Sequence, residues 1–155
     1  MALTLLVTGG TRSGKSNFAE ERVRDLGQHL GKRLVYIATA EAFDEEMAAR
    51  IARHQRRRGP EWHTVHAPLD LVRAVTQTDG KGPCVIDCLT LWLSNLMLAG
   101  QDTEVAADAL VASLASRADP VILVTNEVGS GIVPENALAR RFRDEAGRLN
   151  QIVAQ

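Results

Sequence analysis

Between a β-rich apolar run, Leu3–Thr8, and a stretch with helical spacing, Lys15–Leu30, lies the segment Gly9-Gly10-Thr11-Arg12-Ser13-Gly14-Lys15-Ser16. It fits the pattern G-x-x-x-x-G-K-[ST] at every defined position. Gly9 and Gly14 let the backbone turn tightly, so that successive N–H groups converge on phosphate oxygens. The helix that follows adds its positive N-terminal end. From this position Lys15 reaches the β and γ phosphates of a nucleotide, and the Ser16 hydroxyl can ligate Mg²⁺. A strand before and a helix after are the context such a P-loop requires, and the sequence supplies both.

The same alternation continues along the chain. Arg33–Thr39, Cys84–Asp87 and Pro120–Thr125 read as three further buried strands. Between and beyond them the spacing predicts helices from Asp44 to about Arg58, over Pro68–Gln77, Leu89–Leu98 and Glu104–Arg117, and last over Ala137–Ala154. Gly31 ends the first helix, Asp44 caps the second, and Gly59-Pro60 stops it. His63 and His66 fall in a strand-like stretch, and His29 at a helix end. Strands separated by helices imply right-handed crossovers and a parallel sheet covered on both faces. No repeat or linker divides the chain, so residues 1–155 are expected to form one α/β domain.

Composition narrows the partners. With 18 basic and 19 acidic residues the net charge is -1, and aromatic residues make up 4%. That argues against a dedicated nucleic-acid binder, which needs a basic face or stacking platforms. No apolar run approaches the ~20 residues of a membrane helix, and the first residues lack the basic flank of a signal peptide. A soluble, cytoplasmic protein is expected. Cys84 and Cys88 have no further cysteine with which to build a disulfide framework or a thiolate zinc site, and read as buried packing residues.

A P-loop needs an acid on a neighbouring strand to complete the metal side. Asp87, closing Cys84-Val85-Ile86, is the candidate, with a helix-capping role as the competing one. Asp119 precedes its strand and is badly placed for this. The segment Val124-Thr125-Asn126-Glu127 lacks the N-K-x-D signature by which GTPases identify guanine, so a small-molecule kinase fits better than a switch. The helix over 45–58 is strongly basic, with Met47 and Ile51 marking its buried side and Arg50 and His54 sharing a neighbouring stripe. On these residues alone, His54 reads more simply as a solvated surface side chain than as a nucleophile.

Taken together, the motifs resemble the bifunctional adenosylcobinamide kinase / adenosylcobinamide-phosphate guanylyltransferase family of cobalamin biosynthesis. The resemblance covers nearly the whole chain. It rests on GGTRSGKS (9–16), YIATA (36–40), DEEMAARIARHQRRR (44–58), Trp62 and Thr64, DCLTLWLSNL (87–96), TNEVGSGIVPE (125–135) and LARRFRDEAGRLNQ (138–151). It implies phosphorylation of adenosylcobinamide by ATP or GTP, then transfer of GMP from GTP through a covalent guanylyl-histidine. The family's R-I-x-x-H pattern places that histidine at His54, and the resemblance adds nucleotide contacts at Thr39, Ala40 and Glu41 and at Gln55, Arg56, Arg57 and Arg58. It also implies a RecA-like three-layer fold and a homotrimer. Two departures stand out: His66 occupies the position of the usual acid in W-x-T-x-E, and the family's final hydrophobic strand is not matched after Gln155. Guanylyltransferase activity alone, or a non-catalytic nucleotide-binding regulator, are the competing readings.

Overall fold

The computed structural model describes residues 3–9, 14–41 and 44–126. Residues 10–13, Glu127 and the helix expected over 137–154 lie outside the described residues. Within them the order is β1 (Thr4–Gly9), α1 (Lys15–Leu30), β2 (Leu34–Ala38), α2 (Glu45–Arg58), β3 (Trp62–His66), α3 (Leu71–Thr78), β4 (Cys84–Asp87), α4 (Leu89–Leu98), α5 (Thr103–Ala115) and β5 (Val121–Asn126).

The strands form one sheet in the order β1-β5-β4-β2-β3, with every neighbouring pair parallel. Four strands are the apolar runs read from the sequence. The fifth, β3, was legible only as a strand-like stretch. It pairs with β2 alone among the described strands, and its middle residues are only half-buried. An edge strand does not need the continuous apolar run that identifies a central one.

Period-two alternation sorts the strand side chains into two cores. Leu34, Tyr36, Val85, Ile122 and Val124 pack on one face with Ala19 and Val23 of α1. Val35, Ile37, Ile86, Val121 and Leu123 fill the other, against Leu71 of α3, Leu93 of α4 and Leu110 of α5. Each fully buried aliphatic side chain contributes roughly 1.5–3 kcal/mol of transfer free energy. Trp92, 1% exposed, keeps its indole satisfied by donating Nε1 to the Leu69 carbonyl at 2.9 Å. The result is a three-layer α/β sandwich.

Two helices differ from expectation. Asp44 does cap α2, accepting the Met47 N–H at 2.7 Å, and Glu45, Glu46 and the terminal arginines suit the helix dipole. Yet Met47 and Ile51 are only half-buried, and Arg58 is the one buried side chain of the helix. At α4 the cap is Cys88, whose Sγ accepts the Leu91 N–H at 3.4 Å. The capping role weighed for Asp87 therefore falls to its neighbour.

The N-terminal ends of the strands hold a buried ionic cluster. Arg117 donates to the Val75 carbonyl, to Thr78 Oγ1 at 3.0 Å, and to the carbonyls of Thr78 and Gly82. Asp119 accepts from the Gly82 N–H at 3.0 Å and from Lys32 Nζ at 2.7 Å. Gly82 sits at φ 149 with the Arg33 carbonyl oxygen 1.7 Å from where a Cβ would lie, so no other residue fits. Asp119 is thus at the opposite end of the sheet from the P-loop.

Candidate active site

At the C-terminal ends, β1 delivers the glycine segment and β4 delivers Asp87, with β5 inserted between them. Gly14 is the N-cap of α1 at φ 79, a left-handed conformation that glycine adopts without steric cost. Two residues on, Ser16 Oγ donates to Asp87 Oδ2 at 3.2 Å. The P-loop hydroxyl and the strand-end carboxylate, 71 positions apart, are therefore in direct contact.

A third group joins them. Tyr36 lies opposite Val85 in the parallel register, and so shares a sheet face with Asp87 two residues further on. Its hydroxyl donates to the same Asp87 Oδ2. Burial, reinforced by the Asp87 charge and hydrogen bond, pushes the phenol well above its ordinary range. Tyr36 is accordingly a permanent donor. Its ring meets Trp62 edge-on, with centroids 5.9 Å apart, and carries the Arg58 guanidinium 3.6 Å above its centroid. Arg58 is 6% exposed, and its Nε has no hydrogen-bond partner among the described residues.

These groups border a cleft of about 470 Å³. Ser16 of α1, Tyr36 of β2 and Asp87 of β4 line it together with His54, Arg57 and Arg58 of α2. His54 is exposed, one helical turn before the buried Arg58. Glu20 of α1 also lines the cleft. Burial pushes its carboxyl above the usual range; the Arg58 guanidinium pulls the other way, and the Asp87 carboxylate adds to the push. The Ser16–Asp87 pair offers hard oxygen donors, the kind that hold a hydrated hard cation shared with phosphate oxygens. No cluster of three or more potential metal-ligating His, Cys, Asp or Glu side chains occurs among the described residues.

A family model described as cobinamide kinase / cobinamide phosphate guanyltransferase matches residues 5–155. The chain belongs to this family. It is 44% identical over 153 residues to the bifunctional adenosylcobalamin biosynthesis protein CobP of Pseudomonas aeruginosa, covering 97% of this chain and 86% of that one. To the bifunctional adenosylcobalamin biosynthesis protein CobU of Salmonella typhimurium it is 41% identical over 168 residues, covering 98% and 90%. In fold it is similar to the KaiC-like protein PH0186 of Pyrococcus horikoshii, with a TM-score of 0.53 at 17% identity over 93% of this chain and 67% of that one. That likeness supports the RecA-like P-loop architecture.

Of the family's expected site positions, the cleft gathers Ser16, Ala40, His54, Arg57, Arg58 and Asp87. Thr39 is nearby but fully buried. Its Oγ1 accepts the Cys88 N–H at 2.8 Å and donates to the Cys88 carbonyl at 2.7 Å, and its own carbonyl accepts from Asn95 Nδ2 at 2.8 Å. Its side chain fixes the turn after Asp87 instead of facing the cleft. Glu41, Gln55 and Arg56 are exposed, outside the residues that line the cleft. Gly10, Thr11, Arg12 and Ser13 lie outside the described residues. Sequence reasoning missed Tyr36 and Glu20. The available signal for Tyr36 was a single hydroxyl-bearing ring in the otherwise apolar strand beside the one that ends in Asp87.

Proposed function

We propose that this chain phosphorylates the side-chain hydroxyl of adenosylcobinamide with ATP or GTP, and then converts the product to adenosylcobinamide-GDP by guanylyl transfer from GTP. The observation that carries this reading is the single cleft lined by both His54 of α2 and the Ser16–Asp87 pair. Residues 9–16 would cradle the triphosphate, with Lys15 on its β and γ phosphates. Ser16 and Asp87 would hold Mg²⁺, which when bound neutralises phosphate charge that develops on the leaving group. Family membership is with enzymes of this pair of activities.

In the guanylyl step, a ring nitrogen lone pair of His54 attacks the α-phosphorus of GTP. The bond to the β-phosphate oxygen breaks, and its electron pair leaves with pyrophosphate. A phosphate oxygen of adenosylcobinamide phosphate then attacks the same phosphorus, and the P–N bond returns its electron pair to the imidazole. Splitting the transfer in this way gives two displacements, each flanked by cationic side chains. Arg57 and Arg58, on the same helix, supply that positive charge. The unbroken alternation of strands and helices supports one domain over residues 1–155, the sequence pattern supports work in the cytoplasm, and the family resemblance supports a homotrimer.

The test is covalent mass. Incubation with GTP and Mg²⁺ should add one acid-labile GMP per chain, and His54→Ala should add none while folding normally, because the side chain is exposed. Labelling of the alanine variant at the wild-type rate would remove His54 from the mechanism. Guanylyltransferase activity alone would be revealed if adenosylcobinamide and ATP gave no phosphorylated product.

A further inference from the structure

The ring of Tyr36 touches both halves of the proposed machinery. Its hydroxyl end holds Asp87 Oδ2, the oxygen that Ser16 also reaches. Its face carries the guanidinium of Arg58, the one buried side chain of α2. The rest of that helix is exposed or half-buried, so Arg58 is its main inward attachment. His54 stands one turn earlier on the same helix. The ring also packs against Trp62 in a T-shaped contact.

From this geometry we propose that Tyr36 is a positioning residue with two separable duties: its hydroxyl aims Asp87 at the metal side of the site, and its face, through Arg58, seats the helix that carries His54. The inference rests on the function proposed above and adds to it a single side chain that registers nucleophile and acid against each other. Arg58, which the family pattern assigns to nucleotide, acquires an anchoring duty from its place on the ring. The physical grounds are ordinary. A donor bonded to a metal-side carboxylate fixes its orientation, and losing such a partner commonly weakens metal binding about 10- to 100-fold. A guanidinium stacked on a buried aromatic face is attracted by the ring's electrons and loses little water on that side.

The two duties come apart in different variants. Tyr36→Phe keeps the ring and its stack but deletes the hydroxyl. Binding of a fluorescent GTP analogue, titrated with Mg²⁺, should need about 10-fold more Mg²⁺ at the midpoint, while binding in EDTA stays at the wild-type level. Raising Mg²⁺ to saturation should restore most of the His54 labelling that the same variant loses at low Mg²⁺. Arg58→Met and Tyr36→Leu both empty the stack, and their labelling should remain at least about 10-fold slow however much Mg²⁺ is added.

An unchanged Mg²⁺ midpoint in Tyr36→Phe, even with a lower melting temperature, overturns the first duty and leaves Tyr36 as packing. Wild-type labelling by Arg58→Met at saturating Mg²⁺ overturns the second. Should Tyr36→Leu fail to fold, Arg58→Lys, which keeps the positive charge and loses the planar stack, decides that arm: labelling that stays slow supports the seating duty and wild-type labelling overturns it. If the wild-type protein itself acquires no GMP, the proposed function fails, and the Mg²⁺ titration still decides whether Tyr36 aims Asp87.

Discussion

At the N-terminal ends of the strands the buried guanidinium of Arg117 meets four oxygen acceptors, whereas at the C-terminal ends the equally buried guanidinium of Arg58 lies on an aromatic face beside an open cleft. The acids differ in the same way. Asp119 is spent on Lys32 and the Gly82 N–H, while Asp87 receives two hydroxyls that a ligand can reach through the cleft. Both ends hold a buried arginine and an aspartate, Asp119 buried and Asp87 half-buried. Charge whose hydrogen bonds close on the backbone serves the fold, and charge left facing a cavity is available for chemistry.

Asp87→Asn should break this comparison most visibly. It keeps the shape but removes the negative charge, and Mg²⁺-dependent turnover should fall about 100-fold or more, measured by pyrophosphate release, with a melting temperature near that of the wild type. A comparable loss of stability would mean that Asp87 is as structural as Asp119.

Arg117→Met should do the reverse. Stranding the Val75, Thr78 and Gly82 carbonyls should cost about 3 kcal/mol, or roughly 10 °C in Tm. Below that temperature GTP should bind with wild-type affinity. Altered nucleotide affinity in the folded variant would show that the two ends communicate.

Asp79→Asn gives the smallest and most pH-dependent effect. Burial pushes the Asp79 carboxyl up, but the N–H groups of Ala118 and Asp119 and the charge of Arg117 more than reverse this, leaving it below its ordinary value. A depressed carboxyl stabilises the fold above the unfolded-state value of about 3.9 and loses that contribution as pH falls through the folded one. The Tm gap between the wild type and Asp79→Asn should be full above about pH 5 and close on further acidification. A gap that persists in acid would assign it to shape, not charge.

Much of the architecture was legible because each signal was local. The α1 and α2 boundaries followed from the glycine segment, Gly31, Asp44 and Gly59, all of which act within a turn of where they stand. The Ser16–Asp87 contact was legible as two half-motifs on a strand end and a helix start. What stayed hidden depends on neighbours across the sheet. β3 carries histidines and half-buried positions because, among the described strands, it borders β2 alone. Met47 and Ile51 have the spacing of an inner face, yet α2 is held mainly by Arg58, a contact set by Tyr36 on another element. Cys88 caps α4 with sulfur, outside the oxygen-bearing residues by which caps are recognised. Tyr36 reads as core in its own strand, and its duty emerges only from the register with β4.

The burial of both thiols has a practical side. Cys84 is pushed up to about 12 and Cys88 to about 11, chiefly by desolvation, so neither offers thiolate to an alkylating reagent at neutral pH. The native molecule is therefore a silent background for maleimide chemistry. A single accessible cysteine introduced by Arg53→Cys on the exposed side of α2 would take a dye or spin label cleanly, giving that helix a reporter in solution as nucleotide arrives.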